Sequence, residues 1–270
     1  MALERRARAA WLLAAPLIAL ALLLVVLPFA WRSGSALWQC SVEPGCADLL
    51  SPYYTDALMN TVALSAASVL LALPLAVLAG MALLKRPGLA AFTQWLANQG
   101  ANFAGVPLAL AMTLLFGVQG LVTQSLGWSP VSIQGWSGLL VAYLCFQWPL
   151  AVVLLLPAMS LLDANLPEAA ATLGASPWRY WRLVGLPLLA PSLVEVGVLL
   201  FANAAAAYAT PFALAGGSAQ VLSVRLSSLV SGDLFADPRL PALLALELFL
   251  LLALAMAVGR GWRRRLEASC

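Results

Sequence analysis

Long apolar runs alternate with short polar segments along the chain, and inside each run the apolar residues are continuous rather than every second position. Continuous apolar stretches of about 20 residues suit α-helices crossing a hydrocarbon core of roughly 30 Å, whereas membrane strands alternate. Six such stretches are expected, near residues 9–31, 57–84, 103–123, 138–162, 188–215 and 241–259. Pro74, Pro107, Pro149 and Pro191 fall inside them. A membrane helix tolerates such prolines where neighbouring helices satisfy the freed backbone groups.

The polar segments carry their basic residues unevenly. Arg5, Arg6 and Arg8 precede the first run, Lys85 and Arg86 follow the second, Arg179 and Arg182 follow the fourth, and Arg260, Arg263, Arg264 and Arg265 follow the sixth. These eleven share one side, and only Arg32, Arg225 and Arg239 fall on the other. Loops rich in Arg and Lys stay in the cytoplasm, so both termini are expected there, in agreement with six crossings. The first run follows basic residues as a signal peptide would, but it is longer than the usual apolar region and no small-x-small site follows closely. It is read as an uncleaved anchor. The outer segments 32–56 and 216–240 are too short to build a core of their own, so a solute captured outside would be held by another protein.

Composition agrees. Hydrophobic residues make up 63% of the 270 positions and charged residues 9%, against roughly a quarter charged in soluble domains. The chain is read as an all-α integral membrane protein. It contains no histidine, which excludes histidine metal sites, Ser-His-Asp triads and Cys-His pairs. No metal site and no catalytic residues are assigned. A net charge of +3 gives no reason to expect nucleic acid.

One polar segment stands apart, between the fourth and fifth runs. Asn165 reads as a helix cap, with Pro167 in the first turn and Glu168 three residues after the cap. Ala169, Ala170 and Ala171 favour helix, and Gly174 suits a terminating turn with positive φ. Ser176 and Pro177 read as a second cap and first turn. Trp178, Trp181 and Val184 then recur at three-residue spacing, and Pro187 is expected to end the segment. A helix–turn–helix in water with exposed aromatics implies a partner.

This segment resembles the EAA loop of ABC-importer permeases. The family pattern is E-A-A, three residues, G, nine residues, I, one residue, L-P. Glu168, Ala169, Ala170, Gly174, Leu186 and Pro187 fit it in register, with Val184 in place of the isoleucine. Asn60-Thr-Val-Ala-Leu and Ala207-Tyr-Ala-Thr-Pro-Phe-Ala-Leu-Ala-Gly-Gly are also similar to permeases of polyamine, ferric-iron, sulfate and thiamine importers. The resemblance implies a type I permease fold of six transmembrane helices in a bacterial inner membrane. It divides the chain into a first helix and outer loop (1–56), a permease domain (57–259) with its coupling loop at 163–187, and a basic cytoplasmic tail (260–270).

It also implies partners: two ATP-binding subunits, a second permease (a related chain or a copy), an extracytoplasmic solute-binding protein and membrane lipid. Glu168, Ala169, Ala170, Gly174, Trp178, Arg179, Trp181 and Pro187 would form the ATPase-coupling surface. The chain itself lacks the G-x-x-x-x-G-K-[ST] phosphate loop, since its only lysine, Lys85, has no such glycines before it. No cofactor is expected on it; ATP and magnesium would sit on the ATPase subunits. A rival reading is a secondary transporter or channel whose cytoplasmic loop serves only assembly.

Ser192, Glu195, Asn203, Ala206 and Thr210 fall on one stripe of the fifth run if that run is a single helix. With Gln147 and Tyr208, the residues Glu195, Asn203 and Thr210 are the candidates to line a pathway. Hydrogen bonding between helices is the competing role. A polyamine or other cation is the favoured solute, because acids and aromatic faces would attract it. Glu195 and Glu247 lie at different heights and are not expected to pair. Cys40 and Cys46 bracket a Pro-Gly turn in the first outer segment and are candidates for a disulfide, with two free thiols as the alternative.

Overall fold

The computed structural model describes residues 22–42, 51–84, 87–127, 132–160, 162, 166–231, 237 and 239–269. Among the described residues there are twelve α-helices. A π-helical turn, Leu22–Val26, leads into α1 (Leu27–Val42). Then come α2 (Pro52–Leu84), α3 (Pro87–Asn102), α4 (Val106–Phe116), α5 (Leu121–Leu126) and α6 (Trp136–Ser160). The rest are α7 (Leu166–Thr172), α8 (Pro177–Tyr180), α9 (Leu186–Ala206), α10 (Ala209–Ala215), α11 (Leu222–Ser231) and α12 (Arg239–Ser269). Five described stretches are long and apolar enough to cross a membrane: Pro52–Ala82, Val106–Leu126, Trp136–Met159, Pro177–Ala206 and Arg239–Leu266. They correspond to the second through sixth apolar runs; the first, 9–31, lies mostly outside the described residues.

Helices α2, α6 and α9 form the centre, each packed on the other two, with α3 along α6 and α12 along α9. Lipid is as apolar as leucine, so such helices gain from close approach rather than from escaping water. Small residues at the contacts supply it: Ala72 and Ala76 on α2, Ala142 and Ala151 on α6, and Ala204 and Ala205 on α9 are all buried. Two apolar clusters divide the bundle lengthwise. One joins the first half of α6 (Leu139, Ala142, Tyr143, Phe146) to Leu108, Ala109 and Met112 of α4, Leu214 of α10 and Val224 of α11. The other joins the second half of α6 (Val152, Leu155, Met159) to Ala76 of α2, Ala97 of α3 and Val196 and Leu200 of α9.

The third run, 103–123, is not the single helix expected. It comprises α4 and α5, parted at Gly117–Gly120, and α3 precedes it along the second half of α6. Residues 87–102 are less apolar than the runs around them, so hydropathy passes over α3. The chain changes course at Gly105, whose φ of 79° and ψ of −141° suit glycine alone.

The fifth run is also interrupted. Helix α9 stops at Ala206, the backbone is extended at Ala207, and α10 starts at Ala209. Helix α12 continues unbroken through the basic residues after Gly259 to Ser269.

Candidate functional site

The loop between α6 and α9 is built by its capping residues. Leu166, Pro167 and Glu168 open α7, with Pro167 and Glu168 in its first turn; the expected cap, Asn165, lies outside the described residues. The helix ends in two bonds of a Schellman turn. The Ala175 N–H donates to Ala170 O at 3.0 Å, and the Gly174 N–H donates to Ala171 O at 2.9 Å. Gly174 adopts the left-handed φ of 76° that this turn requires. Ser176 then caps α8, its Oγ accepting from the Arg179 N–H at 3.3 Å, with Pro177 in the first turn.

Past α8 the segment does not end at Pro187, contrary to expectation. A π-helical turn, Trp181–Gly185, carries it straight into α9, and the Leu186 N–H reaches back to Trp181 O. Proline lacks an N–H and disturbs the ladder just before it. The wider π register precedes Pro187 and lets the helix run through it. Residues 177–206 therefore form one rod from loop to membrane.

The aromatic face divides. Tyr180 is buried and meets Trp181 edge-on at 5.6 Å, while Trp181 packs against the inner cluster. Trp178 is 74% exposed and Leu173, beside Gly174, is 88% exposed. Glu168, Ala169, Arg179, Arg182 and Pro187 are exposed as well, and Ala170 is half-buried.

The candidate pathway residues do not converge. Gln147 is fully buried; its Nε2 donates to Ser68 Oγ at 3.3 Å and to Leu200 O at 3.1 Å, tying α6 to α2 and α9. Thr210 is buried and its Oγ1 accepts from the Gly105 N–H at 2.9 Å. That bond joins the turn between α3 and α4 to the start of α10, just past the interruption of the fifth run. Because α9 stops at Ala206, Thr210 leaves the stripe that a single helix would have placed it on. Glu195 pairs with Arg263 of α12 at 3.0 Å, with both side chains about half exposed. Asn203 is exposed on α9, on the face that also carries Glu195 and Leu199. Tyr208 stacks on Phe212 with ring centres 5.1 Å apart. Glu247 is half-buried on α12.

Sequence reasoning missed a polar region at the far end of the bundle from the loop. The Asn60 Nδ2 donates to Gln220 Oε1 at 3.3 Å, and Thr61 Oγ1 accepts from the Leu222 N–H at 2.8 Å. Asn60, Gln134, Trp136, Ser218 and Gln220 line a cavity of about 260 Å³ there. Arg225 is buried, its guanidinium 4.0 Å from the centre of the Tyr53 ring, and it donates to Tyr53 Oη and to Gly217 O. Its place inside LSVRLSSLVS, an amphipathic helix, was the available signal. Cys40 forms a disulfide, and Cys46, its candidate partner, lies outside the described residues.

No family model matches the chain. It is 33% identical over 139 residues to the thiamine transport system permease protein ThiP of Escherichia coli (strain K12), a match covering 49% of this chain and 25% of that protein. It is 26% identical over 181 residues to the spermidine/putrescine transport system permease protein PotC homolog of Mycoplasma genitalium, covering 66% and 61%. It is 31% identical over 150 residues to the molybdenum transport system permease protein ModB of Mycobacterium bovis, covering 55% and 56%. The matches thus span from a quarter to under two thirds of these relatives.

The fold resembles a chain of a bacterial ABC transporter that imports the acidic polysaccharide alginate, with a TM-score of 0.73 over 98% of this chain and 99% of that one. Identity there is 17%, so the likeness speaks to fold. The chain is a multi-pass membrane protein, similar in sequence and in fold to importer permeases.

Proposed function

We propose that the chain is the membrane-spanning permease subunit of an ATP-driven importer in the cytoplasmic membrane, with six crossings and both termini inside. It supplies half of a pathway for a small solute. A second permease supplies the other half, two ATPase subunits drive it, and an extracytoplasmic protein delivers the solute. The carrying observation is the exposed α7–turn–α8 segment. Its residues match the coupling-loop pattern in register, and it is continuous with a membrane-crossing rod. Closure of the ATPase pair would push on this loop, and the rod would pass the push to the bundle. A coupling of this kind needs a surface that binds its partner differently in two global states, and an exposed, rigidly capped turn is such a surface.

The geometry changes the reading of the solute. Arg263 partners Glu195, so this acid offers a cation little. The polar group left on the exposed face of α9 is Asn203, which favours a solute that hydrogen-bonds over one held by charge alone. The relatives carry names that span thiamine, spermidine/putrescine and molybdenum, and the named solute differs among them.

The test is Gly174→Val. A β-branched residue in a left-handed conformation costs about 1–2 kcal/mol and reshapes the turn. The expected outcome is loss of ATPase co-purification, or ATP hydrolysis uncoupled from uptake in proteoliposomes, with the chain still inserted. Wild-type transport by the variant, or uptake by the chain without any ATPase, defeats the proposal. Uptake without an ATPase would favour a secondary transporter.

A further inference from the structure

The cavity of about 260 Å³ at the end of the bundle away from the loop joins a buried apolar lining to a polar one. Leu64, Leu139, Ala219 and Val221 are its buried part. Asn60, Gln134, Ser218 and Gln220 supply polar groups and Trp136 an indole; all of these but the half-buried Asn60 are exposed, so the cavity opens to the surface. Among the described residues, no Asp, Glu, Lys or Arg lines it. The hydrogen bonds already made there fix what remains for a ligand. Asn60 Nδ2 donates to Gln220 Oε1, which leaves Asn60 Oδ1 to accept and Gln220 Nε2 to donate. Ser218 Oγ donates to Ala215 O at 2.6 Å, so toward a ligand it accepts. The Leu222 N–H at the start of α11 is held by Thr61 Oγ1 at 2.8 Å and is not free for an anion.

We infer that this cavity binds one ring of an uncharged, hydroxyl-rich solute, a monosaccharide or cyclic polyol. The inference rests on the proposed function, which turns this end outward, and names the solute class of that importer. A hydroxyl group both donates and accepts, so it satisfies Asn60 Oδ1, Gln220 Nε2 and Ser218 Oγ alike. A polyamine only donates and would set an ammonium against the Gln220 amide hydrogens. An oxyanion only accepts and would face Asn60 Oδ1. Either ion would also give up water without meeting an opposite charge in the lining. An acyl chain would strip water from four polar side chains and return no hydrogen bond. The indole of Trp136 offers an apolar face to the C–H face of a sugar ring, while the carboxamides take its hydroxyls. Sites for drug-sized ligands occupy roughly 300–1,000 Å³, so a cavity of about 260 Å³ holds a single ring and not a chain of them.

The experiment uses the full chain in nanodiscs and saturation-transfer NMR. The neutral probes are glucose, galactose, mannose, xylose and myo-inositol; the charged ones are spermidine and methylphosphonate. At least one neutral probe should bind with a Kd of about 1 mM or tighter, and both charged probes about tenfold more weakly. Asn60→Leu and Gln220→Leu should each weaken the neutral probe about fivefold. Trp136→Ala should do the same, and Trp136→Phe should restore most of the loss. Gln220 and Trp136 are exposed, so their variants keep the fold even where Asn60→Leu does not. Failure of every neutral probe to bind overturns the assignment. So does tighter binding of a charged probe, or unchanged sugar affinity in the Gln220 and Trp136 variants. Uptake by the assembled importer is scored with the same chain. ATP-driven uptake of a charged solute with no sugar bound removes this site and leaves the proposed function standing. Sugar binding with uptake that needs no ATPase keeps the site and removes the importer.

Discussion

Gln147 sits where α2, α6 and α9 meet and gives both amide hydrogens to the neighbouring helices, one to Ser68 Oγ and one to Leu200 O. Interhelical bonds of this kind average about 0.6 kcal/mol each in membranes. Gln147→Leu should therefore lower stability in detergent by about 1 kcal/mol, read as a shift in thermal unfolding, with membrane insertion unchanged. The Glu195–Arg263 pair is different, since both side chains are about half exposed. Glu195→Gln and Arg263→Gln should each cost less than about 1 kcal/mol, and a double-mutant cycle should give a coupling that shrinks as salt rises. The sequence announced both Gln147 and Glu195 as polar groups in apolar surroundings. It could not say that their partners lie 53 and 68 residues away. Those partners decide that Gln147 binds helices together and that Glu195 is ion-paired to Arg263.

Among the elements, the terminated ones were legible and the interrupted ones were not. Gly174, Ser176 and Pro177 act through bonds to residues within five positions, so local chemistry predicted the turn and the second cap. The interruption at Ala207–Tyr208 falls four residues before Pro211, which has no N–H to bond Ala207 O, but the alanines around it favour helix and mask the break. It is held by tertiary contact: Thr210 Oγ1 receives the Gly105 N–H, and α10 packs on α4. Thr210→Val should leave that part-buried N–H without its acceptor, at a cost of about 1 kcal/mol, whereas Thr210→Ser should retain most of the stability. Equal melting temperatures for the valine and serine variants would show that the bond contributes nothing. The unbroken run through Pro187 escaped notice for a related reason. Proline ends most helices, and only the preceding π turn lets this one continue.

For the whole molecule, hydropathy and the basic-residue count predicted a bundle of membrane helices, and the five described stretches long and apolar enough to cross a membrane overlap five of the six apolar runs. The pairing of helices was not predictable from those runs, because uniformly apolar faces show no preferred neighbour. Small residues and buried amides choose it. The assembly reading makes a prediction at this scale. Proteoliposomes holding the chain alone should show no uptake, and uptake should require the co-expressed ATPase, the second permease and the solute-binding protein together. Accumulation driven by an ion gradient in the absence of nucleotide would contradict it.

The rod from Pro177 to Ala206 spans 30 residues, or about 45 Å at helical rise. Its far end meets the non-helical link at Ala207–Tyr208. In the proposed assembly, a stiff beam ending at such a break would act as a crank: a few ångströms of travel at the loop would swing the opposite tip, with the bonded pair at Gly105 and Thr210 as the bearing. Asn203 would then follow the loop, with no separate hinge needed along the helix.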